Sequence, residues 1–411
     1  MARRIARHAG LSGPVLLVLM AGATAAAAQT AAAQTAAAQT AAAQTGDPAA
    51  QLSPAGDPTR GIPPEAEREP VAGPFPRLTG TVDVEIQNDN SYRASVRDDE
   101  RNVLFTDTAA TFGLYFNSAL SVQTTLHLEP VADAPGDRSF DDHGLYLEQL
   151  YLLYDSEPVK AFAGKFNVDF GFAWDRAPGV YGTDFAEDYE FNERVGIGAA
   201  YTLDAGAWGR HEIGVKLFLA DNTPLSGTLF EPRFDDGAGN LKRRNREAYP
   251  GVGNTGWPTS FAVTVNGGDI PALAGLAYSL GFIREDGDDG AANETGLVAG
   301  LEHEIAVTEN LAVLPLVEIA HIDNYQGARE DRLYVTAGLG VAYGPWSGSL
   351  STTWRGIDGP GGAESDDWLY QATFGYRFDF GLGVDVGWKR ERIEGERIET
   401  VGLLLSYQYA F

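Results

Sequence analysis

Read in steps of two, the final stretch of the chain separates into two faces, with Val401, Leu403, Leu405, Tyr407, Tyr409 and Phe411 on one and Gly402, Leu404, Ser406, Gln408 and Ala410 on the other. The first set is apolar and aromatic, the second mostly small or polar. Such alternation marks a strand whose two sides meet different surroundings. The same period recurs upstream. Leu382, Val384, Val386 and Trp388 alternate with Gly383, Asp385, Gly387 and Lys389. Trp368, Tyr370, Phe374, Tyr376, Phe378 and Phe380 alternate with Gln371, Thr373, Gly375, Arg377 and Asp379. Trp346, Leu350 and Trp354 alternate with Ser347, Ser349, Ser351, Thr353 and Arg355. Segmented in this way, the chain predicts strands near 77–87, 106–117, 118–129, 144–155, 159–167, 193–203, 211–220 and 258–266. Others follow near 273–284, 294–306, 310–322, 332–343, 345–355, 368–380, 382–391 and 397–411.

The connections alternate as well. Brief turns are expected at Asn117 and Ser118, Asp155 to Pro158, Asp204 to Arg210, Gly267 to Ala272, Val307 to Glu309, Gly344 and Pro345, and around Phe380 and Gly381. The intervening connections, 88–105, 130–143, 168–192, 221–257, 285–293, 323–331, 356–367 and 392–396, are mostly longer. A two-sheet sandwich has no reason to sort its loops by side, whereas a closed membrane barrel does. The pattern therefore predicts an all-β fold, a transmembrane antiparallel β-barrel of about 16 strands over 77–411. The parity places apolar residues toward lipid and small, hydroxylated or charged ones toward a wet lumen.

Before the first strand the texture differs. Residues 1–28 carry Arg3, Arg4 and Arg7, an apolar stretch around Val15 to Met20, and Ala26 to Ala28, which read as a secretory signal peptide. AAAQT repeats follow to Thr45, and a stretch from Gly46 to Pro76 is rich in Pro, Gly and Glu. Residues 29–76 have too little to bury and are expected to be a disordered periplasmic leader.

Composition narrows the functional classes. The chain has 411 residues, no Cys and a formal net charge of -27. That charge opposes nucleic acid as a partner and favours cations. No internal run of about 18 apolar residues exists, so a helical membrane protein is excluded. His127, His143, His211, His303 and His321 stand outside any recognisable triad or metal-ligand motif, so no catalytic residue, cofactor or metal is expected.

Two motifs carry a family resemblance. The alternating final strand ending in Phe411 resembles the C-terminal signature of Gram-negative outer-membrane proteins, which implies that Phe411, Tyr409 and Tyr407 are read by the barrel assembly machinery. Gly164, Lys165, Phe166, Phe170 and Gly171 resemble a G-[KR]-F-x-x-x-F-G element found in several porin families. In porins of this size the long third external loop folds into the lumen. The resemblance thus implies that 168–192 narrows the pore, with Asp169, Asp175, Asp184, Glu187, Asp188 and Glu190 as constriction acids. Lys165, Lys216, Arg355, Arg377 and Lys389 have inward parity and form the expected basic wall opposite them. A second charged stretch, Arg233, Lys242, Arg243, Arg244 and Arg246, lies in 221–257, where the simplest role is to neutralise neighbouring acids.

The expected function is diffusion of small hydrophilic solutes or ions across an outer membrane containing lipopolysaccharide, with a homotrimer implied by the resemblance alone. A substrate-selective porin for siderophores, phosphorylated solutes or sugars is the nearest alternative. A structural or adhesive barrel with a closed lumen is the third.

Overall fold

In a computed structural model of the protein, the described residues are 74–411 except 133, 231–233, 236–240, 243–250 and 289. The expected signal and most of the expected leader lie outside them, as do Arg233, Arg243, Arg244 and Arg246.

Among the described residues, sixteen long strands close into one antiparallel barrel. They are β1 Arg77–Ala94, β2 Asn102–Tyr115, β3 Leu120–Pro130, β4 His143–Ser156, β5 Val159–Val168, β6 Phe191–Asp204, β7 Arg210–Ala220 and β8 Ser260–Gly268. The second half comprises β9 Leu276–Glu285, β10 Glu294–His303, β11 Leu311–Asp323, β12 Asp331–Tyr343, β13 Trp346–Asp358, β14 Glu364–Arg377, β15 Gly383–Ile393 and β16 Glu396–Ala410. Each pairs with its sequence neighbours, and β1 closes on β16 in the register Val82↔Tyr409, Val84↔Tyr407 and Ile86↔Leu405. Closure matters physically, because in hydrocarbon an unpaired strand edge leaves its N–H and C=O groups without partners. Phe411 extends the seam, its N–H donating to the Gly80 carbonyl at 3.0 Å and its carbonyl accepting from the Gly80 N–H at 3.1 Å.

The outer face is apolar, with Leu350 62% and Phe374 59% exposed. Aromatics gather at both ends. Tyr343, Trp346, Tyr376, Phe378 and Tyr409 ring the short-turn end, and Trp346 packs edge-on to Tyr376 with centroids 4.5 Å apart. At the long-loop end Trp368 stacks on Tyr370, and the Trp388 indole donates to the Tyr92 hydroxyl at 3.2 Å. Two such girdles are the interfacial belts of a membrane barrel.

Several boundaries differ from expectation. β1 continues to Ala94 and β2 starts at Asn102, so the expected loop 88–105 shrinks to 95–101. Asn88 and Asn102 occupy this extension and bond each other at 3.0 Å through their side chains. Above the lipid band a strand has no apolar face to display, so alternation disappears while pairing continues. β14 likewise begins at Glu364, four residues before its first outward Trp.

Candidate functional site

The lumen departs from the uniformly polar wall expected from parity. On β7 to β12 the inward positions include Phe218, Ala262, Ile283, Val298, Leu316, Ile322 and Tyr334, all buried. Against this apolar shelf packs the connection between β5 and β6, residues 169–190, through Phe170, Phe172, Trp174, Ala177 and Tyr189. The alternative environment for these side chains is lumen water rather than lipid, so burying each large one contributes about 1.5–3 kcal/mol. The inward apolar residues of β11 were legible in the sequence, but parity alone could not show that a loop covers them.

Glu318 holds the loop's entry. It lies inward near the middle of β11, 1% exposed, and its carboxylate accepts from the Phe172 N–H at 2.7 Å, the Ala173 N–H at 3.0 Å and the Tyr189 hydroxyl at 2.8 Å. It thus satisfies backbone donors at the start of the single helical turn Ala173–Arg176. Sequence reasoning overlooked Glu318, although an acid within the apolar run of β11 was a usable signal. Gly171, at φ 72°, turns the chain into this contact.

The loop then follows the wall from β11 to β1. Asp188 accepts from Arg355 at 2.7 Å, Arg332 at 3.1 Å and the Tyr334 hydroxyl at 2.8 Å. Arg355 also bridges to Asp367 at 2.7 Å and lies 4.4 Å over the Phe185 ring. Gln371 donates to the Pro178 carbonyl at 2.6 Å, and Thr373 accepts from the Val180 N–H at 3.0 Å. Asp184 pairs with Lys389 at 2.8 Å, and Lys389 lies 4.8 Å from the centre of the Tyr181 ring. The Tyr181 hydroxyl donates to Asp89 of β1 at 2.6 Å. At the other end of the segment, Asp169 pairs with Lys216 and accepts from Thr264 at 3.0 Å and Asn266 at 3.1 Å.

Three of the five expected wall cations, Lys216, Arg355 and Lys389, therefore face three of the six expected acids, Asp169, Asp188 and Asp184. Arg332, which the sequence reading did not single out, joins them. Lys165 is turned elsewhere, to Glu193 at 2.6 Å and Asp221 at 2.8 Å, and is 1% exposed. Arg377 bonds the Gly381 carbonyl at 3.2 Å near the short-turn end. Asp175 is buried 3.8 Å from Arg176, and Arg176 pairs with Glu302 of β10. Glu190 is half-buried at the loop's exit.

Glu187 differs from its neighbours in the loop. It is exposed, and its carboxylate accepts from Thr183 at 2.7 Å. Its depth within the barrel, and then the charge of Asp184 and those of Asp107 and Glu129, push its carboxyl up to about 8, the Thr183 hydrogen bond opposing. The same depth lifts Asp184 to about 6 while Lys389 pulls it down. Facing Glu187 is a wall unlike the apolar shelf. β1 to β4 present Asp83, Glu85, Asp89, Asp107, Glu129 and Glu148 inward, with His127 among them. Glu85, Asp89, Asp107 and Glu129 are only half-buried, so water reaches both sides of the gap.

No protein-family model and no curated protein matches the chain. Among solved structures it is similar to the outer-membrane channel DcaP of Acinetobacter baumannii, with a TM-score of 0.51 and 12% identity over 81% of this chain and 96% of that one. Weaker likenesses are to a loop L8 deletion mutant of OmpT, an outer-membrane protein of Vibrio cholerae (TM-score 0.47, 11% identity, 81% and 98% covered), and to Pseudomonas aeruginosa OccK1 (TM-score 0.47, 9% identity, 81% and 99% covered). What the chain shares with DcaP is the fold, a β-barrel, which in this chain closes on sixteen strands.

Proposed function

We propose that the protein is an outer-membrane porin whose passage runs between the loop 169–190 and the wall of β1 to β4, and that it favours cations and small cationic or neutral hydrophilic solutes. The observation that carries this reading is the unequal sharing of charge. Asp169, Asp184 and Asp188 are each paired with a wall base, which pins the loop to one side. Glu187 instead looks across at a wall rich in carboxylates. Charges in a water-filled neck with low-dielectric walls are weakly screened, so this face raises local cation concentration. No step of chemistry is needed for that role, and we assign the protein no enzymatic one.

Filling of the lumen by Phe170, Phe172 and Trp174 favours a narrow, substrate-selective passage over a wide sieve. The expectation that all the loop acids set the field is thereby narrowed to the carboxylates of the opposing wall, which Glu187 joins as it ionises at a pH of about 8. Residues 1–28 as signal, 29–76 as leader, recognition of Phe411, Tyr409 and Tyr407 by the assembly machinery, and a homotrimer belong to the same proposal.

Planar-bilayer recordings in a salt gradient test the reading. A small, cation-selective conductance is expected. Anion selectivity would overturn the charge assignment, and absence of any conductance from the folded barrel would favour the closed structural barrel instead.

A further inference from the structure

We propose that Asp107, His127 and Glu129 form a binding site for a borderline divalent cation of the zinc type on the acidic wall of the lumen. The three side chains come from adjacent strands, Asp107 from β2 and His127 with Glu129 from β3, and point inward. One donor atom from each lies within 4.8 Å of the other two. The His127 Nε2 is already 2.5 Å from the Asp107 carboxylate. Around a tetrahedral ion with bonds of about 2.0–2.2 Å, donors stand roughly 3.4 Å apart. Small side-chain rotations therefore bring the set to that spacing.

The surroundings suit such a site. The Tyr146 hydroxyl donates to Glu129 at 2.5 Å and lies 3.4 Å from His127 Nδ1, while a Glu148 oxygen lies 3.5 Å from the same nitrogen. Groups on the far ring nitrogen are what orient a ligating imidazole and strengthen it as a donor. The Tyr146 and His127 rings also pack with centroids 5.6 Å apart, which restrains the imidazole. One imidazole with two carboxylates suits zinc-type ions better than Ca2+ or Mg2+, which prefer oxygen alone. Three protein donors leave a coordination position open to lumen water, so the ion exchanges with solutes in the passage rather than being sealed in. Asp107 and Glu129 also act electrostatically on Glu187 across the gap, so an ion bound here sits where it opposes the passage of other cations.

The site does not depend on the lumen being conductive, and the test separates the two. Isothermal titration of Zn2+ into the detergent-solubilised, folded barrel should show one saturable site per chain, with Mg2+ failing to compete. His127→Gln, chosen to keep the residue polar and the strand intact, should weaken Zn2+ at least tenfold, and Asp107→Asn should do the same. His321→Ala, beside Asp323 on β11, should leave binding unchanged. In bilayers Zn2+ should lower the current reversibly by chelator, and this effect should disappear in His127→Gln. Equal Zn2+ affinity in wild type and His127→Gln, or loss of binding in His321→Ala instead, would return the cluster to a plain hydrogen-bond network. Binding without any effect on current would leave the metal site standing and count against the placement of the passage along this wall.

Discussion

The hydroxyl of Tyr181 reaches the carboxylate of Asp89 at 2.6 Å, tying the far tip of the loop 169–190 to β1. With Glu318 holding the entry and Asp188 the return, this contact makes the loop a fixed lining of the lumen. Burial and the Asp89 charge push the Tyr181 phenol well above its usual range, so it remains the donor to Asp89 at neutral pH.

Removing that donor should loosen the tip alone. We expect Tyr181→Phe to cost about 1–3 kcal/mol locally and to add current noise in single-channel records with little change in barrel melting. A quiet channel identical to wild type would show that the tip is held by packing rather than by this bond.

Glu318→Ala should have a larger effect, because it leaves the Phe172 and Ala173 amides and the Tyr189 hydroxyl without their shared acceptor. The expected loss is about 2–5 kcal/mol, read as protease cleavage within 169–190 of the folded barrel and as higher conductance. Resistance of the variant to proteases would mean that the aromatic cluster suffices to seat the loop.

Gly402 offers a steric test. A methyl group there would lie 2.0 Å from the Tyr181 hydroxyl oxygen. Gly402→Ala should therefore push the loop tip off β16 toward the passage and lower conductance, whereas Gly348→Ala, where a methyl would meet one backbone oxygen at 3.8 Å, should not.

Selectivity should depend on pH with a defined sign. The Glu187 carboxyl, raised to about 8, is neutral below that value and charged above it. The groups that act on it are Asp184 and Thr183 of its own loop and Asp107 and Glu129 of the facing wall. Cation preference, measured by reversal potential, should therefore grow between about pH 6.5 and pH 9.5. Glu187→Gln should flatten that rise; a rise of equal size in the variant would assign it to the wall instead.

Deletion of Phe411 should impair insertion in cells, since its backbone pairs with Gly80 at the seam and its ring lies 6.0 Å from that of Tyr409 and 6.1 Å from that of Phe112. Normal amounts of folded barrel from the deletion would remove the assembly role.

Strand number, order, closure and the lipid-facing parity were all present in the sequence, because each reflects a local contrast. In a barrel, alternate residues meet lipid or lumen, so a period of two and the sorting of turn lengths survive without any long-range information. The acids of 168–192 and the inward bases Lys216, Arg355 and Lys389 were visible for the same reason. Their pairing was not. Whether Asp188 meets Arg355 or Arg377 depends on which part of the wall the loop covers, and that is decided by a distant apolar shelf on β7 to β12 and by Glu318. Polar side chains such as Asn88 also hid the true length of β1, since alternation stops where lipid does. The outer face was determined residue by residue from the sequence; the inner face, where a loop replaces water over part of the wall and leaves Glu187 and His127 facing the remainder, was decided only by contacts between residues far apart in the chain.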